Sequence, residues 1–288
     1  RVAYLNHCLY RKKMARITDP LPDGLEAAVK KHRIVEAFAI VERLLLETAV
    51  DPADWKRLCA ILFDEAFPGS SSDGRELYGL SLQIGTRHYN RNHRDPEMAA
   101  TLLDIYLHGW DSGALLTYAA INPQHYKNAC NFAIRTGKIE VAKALTEKWR
   151  DQLDARAVEE GLVHFNRAFI AYAKEDLQTA WEEIQEFRPK DLRRLGQKVL
   201  EIKILAEKDP VLAVSKIDTF IKWLAKPELA FAEKQMRDEK GRMQLARRIL
   251  NLAPNDKTTA SRLEQDIEAS QFDREWLRKL LRIQLNLG

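Results

Sequence analysis

The clearest pattern in the chain is the stretch HFNRAFIAYAKEDLQTAWEEIQEF, residues 164–187. Apolar residues fall at Phe165, Ala168, Phe169 and Tyr172, and again at Leu177, Ala180, Trp181, Ile184 and Phe187. Steps of three and four mark one face of a helix. The spacing therefore predicts two helices, broken by a tight turn at Lys174-Glu175-Asp176. Asp176 can cap the second, because a short carboxylate accepts the free amides of a first turn.

The same pattern runs along the chain. Helices are expected over 2–17 and from 25, then in HRIVEAFAIVERLLLE, before the cap-and-proline start at Asp51-Pro52. A loop rich in turn residues covers 68–74, and a joint between an N-terminal part, 1–67, and a larger part, 75–288, is expected there. Asp95-Pro96 repeats the cap-and-proline start. Further helices are expected over 75–92, 95–110, 112–121, 123–136, 138–154, 155–174, 176–187, 190–208, 210–226, 227–252, 258–270 and 273–285. No segment alternates as a strand does. The reading is all-α, with roughly 14 helices.

The second helices share a signature. An alanine follows a polar residue by four and an apolar residue or proline by three, in Arg33-Ile34-Ala37, Asp95-Pro96-Ala99, Lys138-Ile139-Ala142, Asp176-Leu177-Ala180, Asp209-Pro210-Ala213 and Arg242-Met243-Ala246. Successive alanines are 62, 43, 38, 33 and 33 residues apart. A small residue there lets two helices approach closely. A period in the thirties built of helix pairs is the mark of an α-solenoid of antiparallel hairpins.

At NFAIRTGKIEVAKALTEKW (131–149) and AFIAYAKEDLQTAWEEI (168–184) the chain resembles tetratricopeptide repeats. Gly137 or Glu175 stands at the turn position of that family, and Ala142 or Ala180 in its second helix. The chain departs from the family in lacking a tryptophan-leucine-glycine start, in its irregular lengths and in its weak closing prolines. The resemblance is strongest over 123–226. The C-terminal SKIDTFIKWL, ILNL and DREWLRKLL also resemble the tail of an uncharacterised bacterial family of helical proteins, which implies no activity. The tetratricopeptide resemblance implies a superhelix, probed by protein partners, whose first helices line a concave groove. It places Lys127, Asn131, Arg135, Asn166, Arg194 and Lys198 along that groove, the last two after a one-residue shift of register. Such cations and amides resemble a clamp for the carboxylate of a peptide end, with charge-assisted bonds to both oxygens.

Composition changes this picture little. Of 288 residues, 31% are charged and 45% hydrophobic, with 10 prolines and 12 glycines, as suits a globular helical chain. No apolar run approaches the roughly 18 residues of a membrane span. The net charge of +4, from 46 basic and 42 acidic residues, singles out no nucleic acid or membrane surface. Cys8, Cys59 and Cys130 are isolated, as reduced thiols in a cytoplasmic protein are. The chain begins at Arg1, and a preceding N-terminal region is expected.

Motifs for catalysis are missing from the sequence. His88 and His93 are five apart and share no helix face. No HExxH, phosphate-binding glycine loop or nucleophile elbow occurs. Paired acids such as Glu159-Glu160 and Glu182-Glu183 are expected on solvated faces. The six tryptophans are expected as core or capping residues, Trp276 being the one best placed to meet a partner. The expected function is a non-catalytic scaffold, without cofactor or metal, that holds a protein or peptide segment, acidic or ending in a free carboxylate. Two alternatives stand beside it. A helical repeat could bind RNA through RHYNRNHR, with Arg87, Tyr89, Arg91 and Arg94 on phosphates and bases. An enzyme could be completed by the missing N-terminal region.

Overall fold

A computed structural model describes residues 33–46, 50–91, 95–117, 119–190, 193–226, 233–253, 256–270 and 273–286. The expected helix over 2–17, the 18–24 breaker run, Cys8, His93 and Arg94 lie outside the described residues. The fold is all-α. The chain divides into two compact units, Arg1–Asp154 and Ala155–Gly288. The 68–74 loop lies inside the first unit, where the Ser71 hydroxyl donates to Pro68 O at 2.7 Å and accepts from Gly74 N at 3.1 Å.

The first unit contains α1 (Arg33–Leu46), α2 (Pro52–Leu62), α3 (Ser72–Arg91), α4 (Pro96–Asp111), α5 (Pro123–Arg135) and α6 (Ile139–Lys148). α1 packs on α2 and α3, α4 on α3, and α5 on both α4 and α6. The starts are where the sequence puts them. Asp51 accepts from Ala53 N and Asp54 N, and Asp95 from Glu97 N, with Pro52 and Pro96 opening their helices. Between α4 and α5 the expected short helix over 112–121 is replaced. Gly113, at φ 75°, turns the chain, and a two-residue hairpin follows, β1 (Leu116–Thr117) against β2 (Ala120–Ile121), antiparallel. Leu115 and Ile121 are buried there.

The second unit contains α7 (Ala155–Glu159), α8 (Leu162–Ala173), α9 (Leu177–Glu186), α10 (Arg194–Lys208), α11 (Pro210–Leu224), α12 (Glu233–Leu250), α13 (Lys257–Ala269) and α14 (Arg274–Asn286). The expected helix over 155–174 is split. Gly161 takes φ 74°, a left-handed conformation, and a Cβ there would come within 2.5 Å of Glu186 O. Each helix from α9 to α14 packs on its predecessor, and α14 also packs on α12 and α10.

The α8–α9 hairpin is the most extensive pairing of this unit. Its turn places Glu175 at φ 62°, and Asp176 accepts from Thr179 N at 3.0 Å. Gly137 makes the matching turn between α5 and α6 at φ 73°. All six signature alanines, Ala37, Ala99, Ala142, Ala180, Ala213 and Ala246, are buried. Among the described residues no helix is long and apolar enough to cross a membrane.

Candidate functional site

Three of the six expected groove residues stand on α5. Asn122 caps this helix, accepting from Gln124 N at 2.8 Å, and Pro123 opens it. Tyr126, Ala129, Cys130, Phe132 and Ala133 are buried and fix its rotation. The Tyr126 hydroxyl donates to Thr146 O on α6 at 2.6 Å, and Phe132 meets the Tyr89 ring edge-on at 5.1 Å. That leaves Lys127, Asn131 and Arg135, four residues apart, as one half-buried row.

Within that row, Arg135 Nε donates to Asn131 Oδ1 at 3.0 Å. The bond orients the guanidinium and leaves the Asn131 amide nitrogen with no partner among the described residues. A second amide row adjoins it. Gln124 Nε2 donates to Asn128 Oδ1 at 2.7 Å, and Asn128 Nδ2 to the Tyr106 hydroxyl at 3.4 Å. One face of α5 thus carries two cations and three amides. Such a face can donate hydrogen bonds to carboxylates and to peptide carbonyls.

The other three residues belong to the second unit, so each unit carries half of the expected stripe. Asn166 on α8 is buried, with 0% of its surface exposed. Arg194 and Lys198 stand one turn apart on α10 and face different surroundings. Lys198 Nζ lies 5.3 Å from the centre of the Trp223 ring on α11, a cation–π arrangement. Burial lowers its pKa, as do the nearby charges of Arg194 and Lys216, while Glu201 opposes them. Burial in turn raises the pKa of Glu201, against Lys216 and Lys198. Lys198 is thus held inside the α10–α11 pair. Arg194 is exposed at the start of α10 and lines a recess of about 390 Å³ with Arg188, Pro189, Lys190 and Gln197.

That recess also brings together Arg188, Pro189, Lys190 and Gln197, which no single helical period joins. The signal was FRPK, a pair of cations around a proline between two helices. Its surroundings correct the expectation that Glu159-Glu160 is solvated. Glu160 is buried, because it lies in the turn after α7 and points inward. It accepts from Arg156 Nε at 2.9 Å and pairs with Arg193 at 2.5 Å, and its carbonyl accepts from Arg188 N at 2.8 Å. Glu183 is half-buried and meets His164 Nδ1 at 2.7 Å.

The basic cluster of the nucleic-acid alternative is partly committed to the fold. Arg87 donates to Leu44 O at 2.6 Å and Leu45 O at 3.4 Å, closing the C-terminal end of α1. Tyr89 is buried against Phe132 and offers no face to a base. Arg91 is exposed at the end of α3.

Cys59 and Cys130 are free and buried, and burial pushes both thiols up to about 12. Burial lowers the pKa of His125, which lies against the Tyr106 ring at 5.4 Å. Trp276, expected as a cap or partner contact, is buried under the Lys203 ammonium, 5.1 Å from its ring centre. Among the described residues, no group of three or more His, Cys, Asp or Glu side chains is placed to hold a metal ion. No family model matches the chain, and neither do any curated protein or solved structure.

Proposed function

We propose that this chain is a non-catalytic binding scaffold for an acidic segment of a protein partner, held along the polar face of α5. The observation that carries the proposal is the Asn131–Arg135 hydrogen bond in a row with Lys127. It preorients a guanidinium and an amide beside an ammonium, so less side-chain freedom is lost on binding. The opposite face of α5 is fully committed to the core, which keeps this row in place. The proposal includes a tetratricopeptide-like solenoid, for which the buried hairpin alanines and the left-handed turns at Gly137 and Glu175 are the support. In that arrangement α5 is a first helix, and its polar face belongs to the groove. The partner then presents carboxylates, either acidic side chains or a free chain end. Its action within the cytoplasm is part of the same proposal.

The test is selection of peptides from a random displayed library on the full chain. Enrichment of Asp, Glu or a free acidic C-terminus, lost on the Lys127→Ala/Arg135→Ala chain, is the expected result. Selected sequences without acidic enrichment, or unchanged by the double substitution, overturn the reading.

A further inference from the structure

The recess at the start of α10 belongs to the second unit, and its chemistry differs from that of α5. Three cations line it: Arg188, Lys190 and Arg194. All three are exposed, and among the described residues none has a carboxylate within ion-pair distance. The nearest buried acid is already engaged, since Glu160 holds Arg156 and Arg193. Pro189, which also lines the recess, is buried, and Gln197 Nε2 is tied to Phe187 O at 2.5 Å. The floor is therefore fixed by backbone while the rim is cationic. Three like charges gathered at one recess repel one another, and an anion of two charges relieves that repulsion best.

We propose that Arg188, Lys190 and Arg194 form a binding site for a phosphate monoester, presented on a phosphorylated side chain of a partner polypeptide. Three features favour that ligand. A phosphate monoester near neutral pH carries about −1.5 to −2 charges and three acceptor oxygens. Two guanidiniums can each meet two of those oxygens as a fork, and the lysine adds a point charge. The volume of about 390 Å³ holds the group with its own side chain and the flanking backbone. A carboxylate, with one charge and two oxygens, leaves two of the cations unanswered.

Charge beyond the recess argues against a nucleic-acid strand. α9 leads directly into Arg188 and carries Glu182, Glu183 and Glu186. Those carboxylates precede the recess along the chain and disfavour a long polyanion more than a single phosphate. Asp191 and Leu192 lie outside the described residues.

The experiment uses the full chain with three labelled probes. One is a degenerate peptide pool built around a single phosphoserine, the second is the same pool with serine, and the third is an oligouridine. Binding is read by fluorescence anisotropy, with inorganic phosphate as competitor. The phosphorylated pool should bind at least tenfold more tightly than the serine pool, and phosphate should displace it. Arg188→Gln/Arg194→Gln should abolish the difference, and Lys190→Gln should reduce it severalfold, both with unaltered melting temperature. Equal binding of the two pools, a preference that survives Arg188→Gln/Arg194→Gln, or tighter binding of oligouridine would each overturn the proposal.

Discussion

Lys203 Nζ on α10 lies 2.5 Å from Asp273 Oδ2 at the start of α14, and both side chains are almost wholly enclosed. The ammonium also sits over the Trp276 ring. A neighbouring cluster continues the link. Lys279 meets Glu207 at 2.9 Å and Glu175 at 2.8 Å, and the Tyr172 hydroxyl donates to Glu207 at 2.5 Å. Burial, and then the charge of Glu207, pushes the Tyr172 pKa up, so the phenol stays protonated as a donor. The last helix is thereby registered on α8 and α10 by charges and by its leucines together.

Removing one member of a buried pair strands the other. Lys203→Met should cost about 3–5 kcal/mol, since the carboxylate loses its ammonium partner while it stays enclosed. Lys203→Met with Asp273→Leu should recover most of that loss, because two apolar groups leave no orphan charge. Urea unfolding of the single and double variants measures both. A double variant no more stable than the single would show that the pair is not the cause.

The hairpin alanines are close-approach positions. Ala180 is buried between α8 and α9, and Ala180→Leu should cost about 1–3 kcal/mol by overpacking. Ala180→Gly should cost up to about 1 kcal/mol through helix propensity. Thermal melts of the two chains distinguish them, and a leucine variant as stable as the native chain would refute the close approach.

Acid should weaken the first unit through His125. Its folded pKa lies below 6.5 because burial disfavours the charged ring, and its buried Nδ1 has no hydrogen-bond partner among the described residues. The unfolded chain then binds more protons in the window below pH 6.5. Stability is complete above that value and is lost as pH falls through the depressed folded pKa. His125→Phe should flatten the difference between urea midpoints at pH 7.5 and pH 5.5. An unchanged difference would move the cause elsewhere.

Arg87 separates a structural role from a nucleic-acid one. Arg87→Met takes the donor from two carbonyls at the end of α1, and should cost about 1–3 kcal/mol. Its effect should appear in melting temperature. A loss of RNA binding with unaltered stability would revive the nucleic-acid reading.

The parts of the fold legible in the sequence are those fixed by local chemistry. Asp51, Asp95, Asp176 and Asp209 announced their helices, because a cap needs only its own first turn. Ala180 and its five counterparts announced close packing by size alone. The 112–121 hairpin was not legible, since Ile121 is buried and bridged to Leu153, far along the chain. Nor was the break at Gly161, where a left-handed φ coincides with the close approach of Glu186 O from another helix. The α5 row was visible because one helical period generates it. The α10 residues were not separable by period, because Trp223 on α11 draws Lys198 inward while Arg194 stays at the rim. Glu160 looked solvated because nothing local shows that Arg156 and Arg193 converge on it.

The central claim is that the α5 face grips carboxylates. The most direct measurement is isothermal titration of one library-selected acidic peptide, as free acid and as C-terminal amide, into the native and Lys127→Ala/Arg135→Ala chains. Loss of two charge-assisted contacts should weaken binding of the free acid by about tenfold or more. An amide that binds less tightly than the acid to the native chain would assign the contact to the chain end, and an amide that binds as tightly would assign it to acidic side chains. Equal affinity of the native and double-variant chains for the free acid would contradict the account.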